Sequence, residues 1–372
     1  MALNLRCERE ALLEVVSAAA KAASGHGAPV SRMLRLRLAG GKLKATGTDR
    51  DLTISMEAEV DAPGQEGVIV APVRLVGEIL RALEAPTVSL LYQADERVLK
   101  IEAGRSRFSL RCYDPGDFPA VSAPEGPAFP VEAERLAEAL RQVVRAAATE
   151  ESRPVLQGVL LERAEDGLRL VATDSYRLAV KDVPGLGGVL GEGQAAIVPA
   201  RALTELAKLL QAGAASVQVT CGGTDVRFDL GPARLTARLI AGEFPPYRQL
   251  LPAPADLAHR LVVDREALGA ALRRVRLLAG EPTVPVRLGL SSEGLRLSAQ
   301  TVEVGQADED VEAKYEGDDF VIAFNPKYFG DALDAIATEK VVIEMSTPLK
   351  PALIHGEGED DFRYLAMPVR VS

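Results

Sequence analysis

The chain has 372 residues, of which 47% are hydrophobic and 26% charged, the composition of a water-soluble globular protein. Its formal net charge of −10 argues against simple electrostatic coating of nucleic acid, and no apolar run approaches the length that spans a bilayer. Three cysteines, Cys7, Cys112 and Cys221, are too few and too scattered for a disulfide framework or a zinc site, which with the absence of a leader-like N-terminus points to a reducing cytoplasm.

Taken in order, the elements come three times. An amphipathic helix is expected around Arg9–Val16, again around Glu134–Leu140, and again around Arg265–Leu272, with apolar residues at three- and four-residue spacing. A strand of alternating character follows each: Gly41–Thr46, Gly167–Ala172 and Gly294–Ala299. A Thr-Asp pair closes the first two (Thr48-Asp49, Thr173-Asp174), whereas the third has Gln300-Thr301. Then comes an apolar run ending in a proline that opens a second helix, where a missing N–H costs nothing. These prolines are Pro72, Pro199 and Pro326, spaced by 127 residues each time. Further strands follow, such as Val98–Ala103 with Arg107–Cys112, and Val217–Cys221 with Val226–Leu230. Asp117-Phe118-Pro119 and Glu243-Phe244-Pro245 end the first two copies, and proline-rich joints follow them.

Such a long-period repeat dictates the architecture. We expect an α+β fold of three repeated domains, 1–122, 129–252 and 259–372, each with two helices packed on antiparallel sheets. The acid is concentrated in the third: residues 253–372 carry 13 Lys/Arg against 21 Asp/Glu, while residues 1–125 carry 16 against 17.

Catalytic signatures are absent. The three histidines, His26, His259 and His355, make no metal-ligand spacing, and no P-loop or nucleophile elbow is present. The run Gly185–Gly191 misses dinucleotide spacing and reads as a flexible strand-to-strand loop. Asp174 reads as the acceptor for turn amides rather than as a catalytic acid. Carboxylates from Asp308 to Glu312 leave one enzymatic alternative open, a metal-dependent activity using the acidic clusters of the third domain. A regulator that reads DNA sequence would need a basic recognition helix, and none stands out.

Several segments together resemble a known family, the bacterial DNA polymerase III β subunit or β sliding clamp. They are Gly47-Thr48-Asp49, Gly104–Leu110, Asp117-Phe118-Pro119, Ala172–Ala179, Gly242–Arg248 and Met367–Arg370, in family order along the whole chain. The resemblance implies a DNA clamp fold that forms a ring, a head-to-tail homodimer around duplex DNA, with no catalytic residues and no cofactor or metal. It implies partners as well: double-stranded DNA without sequence preference, polymerase subunits, the clamp loader and repair proteins that carry short linear motifs, and no membrane.

By the same resemblance, a hydrophobic pocket between domains 2 and 3 uses Leu156, Thr173, Ser175, Tyr176, Arg177, Leu178, Pro245, Gln249, Leu250, Leu365, Met367, Pro368, Val369 and Arg370 to take the partner motif. DNA-facing candidates are Lys21, His26, Arg81, Arg141, Arg145, Arg153, Arg201 and Lys208. Relatives carry an arginine in the first DNA-facing loop, where this chain has His26. The dimer edge is expected to use Arg105, Arg107, Phe108 and Leu110 of domain 1 against Leu277, Leu278 and Glu303 of domain 3. A basic edge meeting an acidic one favours head-to-tail pairing.

Overall fold

The structure is a computed structural model, and it describes residues 3–23, 29–62, 66–121, 123–150, 152–211, 213–278, 284–301 and 305–370. His26 and Glu303 fall outside the described residues.

The first repeat runs β1 (Asn4–Glu8), α1 (Arg9–Ala20), β2 (Met33–Ala39), β3 (Lys42–Thr48), β4 (Leu52–Glu59), β5 (Gly67–Pro72), α2 (Val73–Ala82), β6 (Thr87–Gln93), β7 (Val98–Ala103) and β8 (Ser106–Arg111). The second runs β9 (Phe129–Glu132), α3 (Ala133–Val143), β10 (Gly158–Arg163), β11 (Gly167–Thr173), β12 (Arg177–Pro184), β13 (Ala195–Pro199), α4 (Ala200–Leu210), β14 (Ser216–Cys221), β15 (Asp225–Leu230) and β16 (Ala233–Arg238). The third runs β17 (His259–Asp264), α5 (Arg265–Val275), β18 (Val286–Ser291), β19 (Gly294–Thr301), β20 (Gly305–Val311), β21 (Ala313–Glu316), β22 (Phe320–Phe324), α6 (Pro326–Ala335), β23 (Lys340–Met345), β24 (Ala352–Gly356) and β25 (Phe362–Ala366).

The helices form where apolar residues line one face. In α2 the buried stripe is Val73, Val76, Gly77 and Leu80, and in α4 it is Ala202, Leu203, Leu206 and Leu210. The prolines sit where the sequence puts them, with one shift. Pro72 is the N-cap of α2, but Pro326 is the first residue of α6, because Asn325 takes the cap and accepts from the amides of Lys327 and Tyr328. Helix α1 packs directly on β3, and only glycine fits there: a Cβ on Gly47 would stand 2.1 Å from the carbonyl oxygen of Ala19. The glycine-rich run 185–191 lies in the connection from β12 to β13, as expected of a strand-to-strand loop. Leu186, Val189 and Leu190 in it are buried, so apolar anchors hold this loop.

Every repeat splits into two four-stranded half-sheets, and all pairings are antiparallel. One orders as β5-β2-β3-β4, β13-β10-β11-β12 or β22-β18-β19-β20; the other contains β1-β6-β7-β8, β9-β14-β15-β16 or β17-β23-β24-β25. The repeats share sheets. Strand β4 pairs with β16 to make an eight-stranded sheet, with Ile54 opposite Leu235. Strand β12 pairs with β25 to make a nine-stranded sheet, with Leu178 opposite Leu365 and β21 added at its end. As a result the chain forms two compact units that cut the second repeat: Met1–Leu136 with Arg201–Leu239, and Ala137–Ala200 with Ile240–Ser372. Two half-sheets remain four-stranded, with β8 and β20 as free edges in this single chain.

Candidate functional site

The turn before the β12–β25 junction fixes the candidate site. Asp174 Oδ1 accepts from the amides of Tyr176 and Arg177 at 2.9 and 3.0 Å, and Thr173 Oγ1 donates to the Arg177 carbonyl at 2.6 Å. Ser175 takes φ +78°, a left-handed conformation that swings Tyr176 outward. Asp174 therefore does the turn work expected of it. The first repeat has the same device, with Asp49 Oδ1 accepting from Asp51 and Leu52 and Arg50 at φ +86°. The turn is common to two junctions, so the side chains around it make the difference.

Arg177 is the most constrained of them, 6% exposed. It pairs with Asp174 at 3.0 Å and with Asp331 of α6, and its guanidinium lies 4.5 Å from the Tyr328 ring centre. Burial works against its charge, yet Tyr364 and Asp331, with Asp174, hold its pKa above the ordinary arginine value. Tyr176 is 62% exposed and stacks on Tyr328 with ring centres 6.3 Å apart. Beside them a cavity of about 170 Å³ is lined by Arg153, Leu156, Asp174, Tyr176, Arg177, Lys327 and Tyr328.

The outer face of the same junction is apolar. Leu160, Val171, Leu178, Val180, Ile197, Tyr247 and Leu365 form one buried cluster, flanked by Val155, Ile240, Phe244, Leu251 and Leu353. Large apolar side chains close in sequence to these residues stay exposed, Leu250 by 54% and Met367 by 43%. Strand β25 ends at Ala366, but the chain beyond it is held, because Met367 N donates to Tyr176 O at 2.9 Å and Val369 N to Ala323 O at 2.7 Å. Pro368 bridges Phe324 and is half-buried, while Arg370, Pro245 and Gln249 are exposed.

Strand register shows why only one junction has this character. The positions of Leu160, Val171, Leu178, Val180 and Leu365 are filled in the first junction by Arg35, Thr46, Thr53, Ser55 and Thr236. One shared backbone plan carries an apolar face at the second junction and a polar one at the first.

The structure thus brings most of the pocket expectation together and adds residues that the sequence did not point to. Tyr328 and Lys327 come from α6, Tyr247 and Phe244 from the joint after β16, and Leu353 from β24. Asn325-Pro326-Lys327-Tyr328 is recognisable as a helix start, but nothing local tells that its tyrosine meets Tyr176.

The candidate DNA-facing cations divide. Arg141 donates to the carbonyls of Asp334 and Ala335 at the end of α6, and Arg145 pairs with Asp334 at 2.7 Å. Arg201 pairs with Asp49 and donates to the Lys21 carbonyl at 3.1 Å. These three join elements of the protein to one another. Arg153 donates to Ser175 Oγ, Lys208 pairs with Glu205, and Lys21 and Arg81 are exposed.

Along the free edge β8 and the turn before it, Arg105, Arg107, Ser109 and Arg111 are exposed on one side, while Phe108 and Leu110 pack toward the core on the other. Leu277, just past α5, is 79% exposed, and Leu278 beside it is half-buried. The carboxylates of β20 have partners of their own: Asp310 with Arg296, Glu309 with Arg274, and Asp308 with Gln306. Among the described residues no cluster of His, Cys, Asp or Glu is arranged to hold a metal ion. No helix among the described residues is long and apolar enough to cross a membrane.

Models of the DNA polymerase III beta subunit match residues 3–122 as its N-terminal domain, 130–246 as its central domain and 248–370 as its C-terminal domain. The chain is 32% identical to the beta sliding clamp of Caulobacter vibrioides, over 99% of this chain and 100% of that protein. It is 30% identical to the Escherichia coli K12 beta sliding clamp, over 99% and 100%. Among solved structures, a Caulobacter crescentus beta sliding clamp with PEG bound superposes with a TM-score of 0.93 at 31% identity, covering 100% of this chain and 99% of that one. A Pseudomonas aeruginosa sliding clamp bound to griselimycin superposes with a TM-score of 0.90 at 30% identity, covering 100% of both. Tandem two-helix repeats that share antiparallel sheets are thus the three-domain sliding-clamp fold. The chain belongs to the DNA polymerase III beta subunit family, and the resemblance read from its sequence holds over its whole length.

Proposed function

We propose that the protein is a non-catalytic, cytoplasmic processivity factor, a head-to-tail pair of identical chains closed around duplex DNA. The observation that carries this is the match between the two free edges. The internal junctions pair the third strand of one half-sheet with the last strand of the next repeat, in one register. Carried to β20 and β8 of a second copy, that register sets Asp310 opposite Arg105, Asp308 opposite Arg107, and Gln306 opposite Ser109 on the outer side. On the inner side it sets Ala307 opposite Phe108. Asp310 and Asp308 each meet an arginine on the outer side of this pairing, while Arg111 falls opposite Val304 in sequence. Leu277 and Leu278 would be covered at the same contact, and Glu303 continues the acidic edge in sequence.

Two such contacts complete every four-stranded half-sheet and leave no open edge at β8 or β20. Retention on DNA is then topological, so a net acidic chain can hold it. Lys21, Arg81, Arg153 and Lys208 are the cations best placed to meet phosphates without reading bases. The pocket around Tyr176, Leu178, Leu365 and Met367 takes the short linear motifs of polymerase subunits, the clamp loader and repair proteins. Exposed apolar side chains and a thioether suit anchors of varied shape. The test loads the protein on nicked circular DNA with a clamp loader and then linearises the circle. Loss of the protein from the linear product is expected; retention at the same level would refute encirclement.

A further inference from the structure

One cation–carboxylate pair recurs at the same place on the outer face of all three repeats. It is Lys44–Glu57 at 3.0 Å, Arg169–Asp182 at 2.6 Å and Arg296–Asp310 at 2.7 Å. Its exposure is not the same: 27% and 36% in the first repeat, 22% and 25% in the second, 63% and 73% in the third.

Part of the difference is the free edge. Strands β16 and β25 flank β4 and β12, and Arg363 also meets Asp182, while β20 has no outer neighbour in the single chain. The rest is cover. In the first repeat the chain leaving β8 bonds back at Tyr113 N to Val70 O, and Phe118 and Val121 then pack on the face with Met33 and Val70. In the second, Ile240 N bonds to Ile197 O, and Phe244 and Tyr247 pack on the corresponding face. There the Tyr247 hydroxyl donates to Glu162, and Arg248 reaches the same carboxylate at 2.7 Å. In the third, Val369 N bonds to Ala323 O and starts the same path, yet no described segment lies over the face. An open groove of about 620 Å³ remains, lined by Gly289, Arg296, Asp310, Asp319, Phe320 and Val321. Val321 is 54% exposed there. Gly289 stands opposite Arg296 as Glu162 stands opposite Arg169, so it marks the place that Tyr247 fills in the second repeat.

We propose that this groove on the third repeat is a second docking site, for an extended segment of another protein with the character of this chain's own Phe244-Pro245-Pro246-Tyr247-Arg248. The chain itself shows such a segment seated on the equivalent face. A tyrosine would lie along Val321 and Phe320, in a groove of the size that takes a few side chains. Asp310 is taken by Arg296 and, in the proposed dimer, faces Arg105, but Glu293, Glu312 and Asp319 also line the groove, so it favours a basic residue after the tyrosine.

The probe is a fluorescein-labelled peptide of residues Ala241–Leu251, titrated into the full chain and followed by anisotropy. Saturable binding is expected, and a scrambled peptide should not saturate. Val321→Lys should weaken binding at least about tenfold by removing the apolar wall and repelling the arginine. Gly289→Glu should tighten it about three- to tenfold, because it restores the carboxylate that Tyr247 uses at Glu162. No Cβ clash opposes that change, since the nearest atom lies 3.8 Å away. Absence of saturable binding, equal binding of the scrambled peptide, or binding that both variants leave unchanged would overturn the proposal.

Discussion

Tyr176 and Met367 stand at the rim of the pocket, exposed by 62% and 43%, so their truncation removes contact area for a ligand without opening the core. The double variant Tyr176→Ala, Met367→Ala is expected to weaken binding of a short linear-motif peptide from a polymerase subunit at least about tenfold by calorimetry while leaving the oligomeric state unchanged. An unchanged affinity would move the ligand site elsewhere. The cysteines give a second expectation at this scale. Burial pushes the thiols of Cys7 and Cys112 up to about 11 from 9.0. A raised thiol pKa means less thiolate in the folded protein, so at pH 8 these cysteines should react with a disulfide reagent about 100-fold more slowly than in the unfolded chain. The sign follows for stability too: the folded state loses ground as pH rises above 9.0, where the unfolded thiols ionise first. Equal rates before and after unfolding would contradict the burial of both.

Helices and strands are largely legible in the amino-acid sequence, because their signals are local. The stripes that build α1, α3 and α5, the proline entries to the second helices and the turn role of Asp174 all follow from spacing and residue type. The sharing of sheets is not legible. Pairing of β4 with β16 joins residues 52–56 to residues 233–237, and no local pattern carries that distance. For the same reason the sequence does not point to Tyr247 and Tyr328: each reaches the pocket from an element far away along the chain. The anchoring of the glycine-rich loop by Leu186, Val189 and Leu190 is not legible either, because these residues follow no period that marks burial. Two glycines test the packing of these elements in opposite directions. Gly47→Ala forces a Cβ against the Ala19 carbonyl and should destabilise the protein by about 1–3 kcal/mol or more. Gly77→Ala, inside α2, meets only the Arg81 guanidinium at 3.6 Å and should stabilise by about 0.5–1 kcal/mol. Thermal melts of the two variants should move apart; a Gly47→Ala protein that melts like the parent would refute direct packing of α1 on β3.

For the whole molecule, one backbone plan is used three times with different side chains at each junction. The first junction carries Thr46, Thr53 and Thr236, the second Val171, Leu178 and Leu365, and the free edges carry arginine on β8 and carboxylate on β20. In the proposed assembly, polar, apolar and charged versions of one pairing would serve as a joint, a partner pocket and a subunit contact. The last of these is the claim on which ring closure depends, and charge reversal tests it directly. Arg105→Asp with Arg107→Asp should leave a chain that sediments as a monomer of 39.5 kDa. Adding Asp308→Arg and Asp310→Arg to the same chain should restore a dimer of twice that mass, because each contact then meets reversed charges on both edges. A double variant that stays dimeric, or a quadruple variant that stays monomeric, would contradict the pairing of β8 with β20.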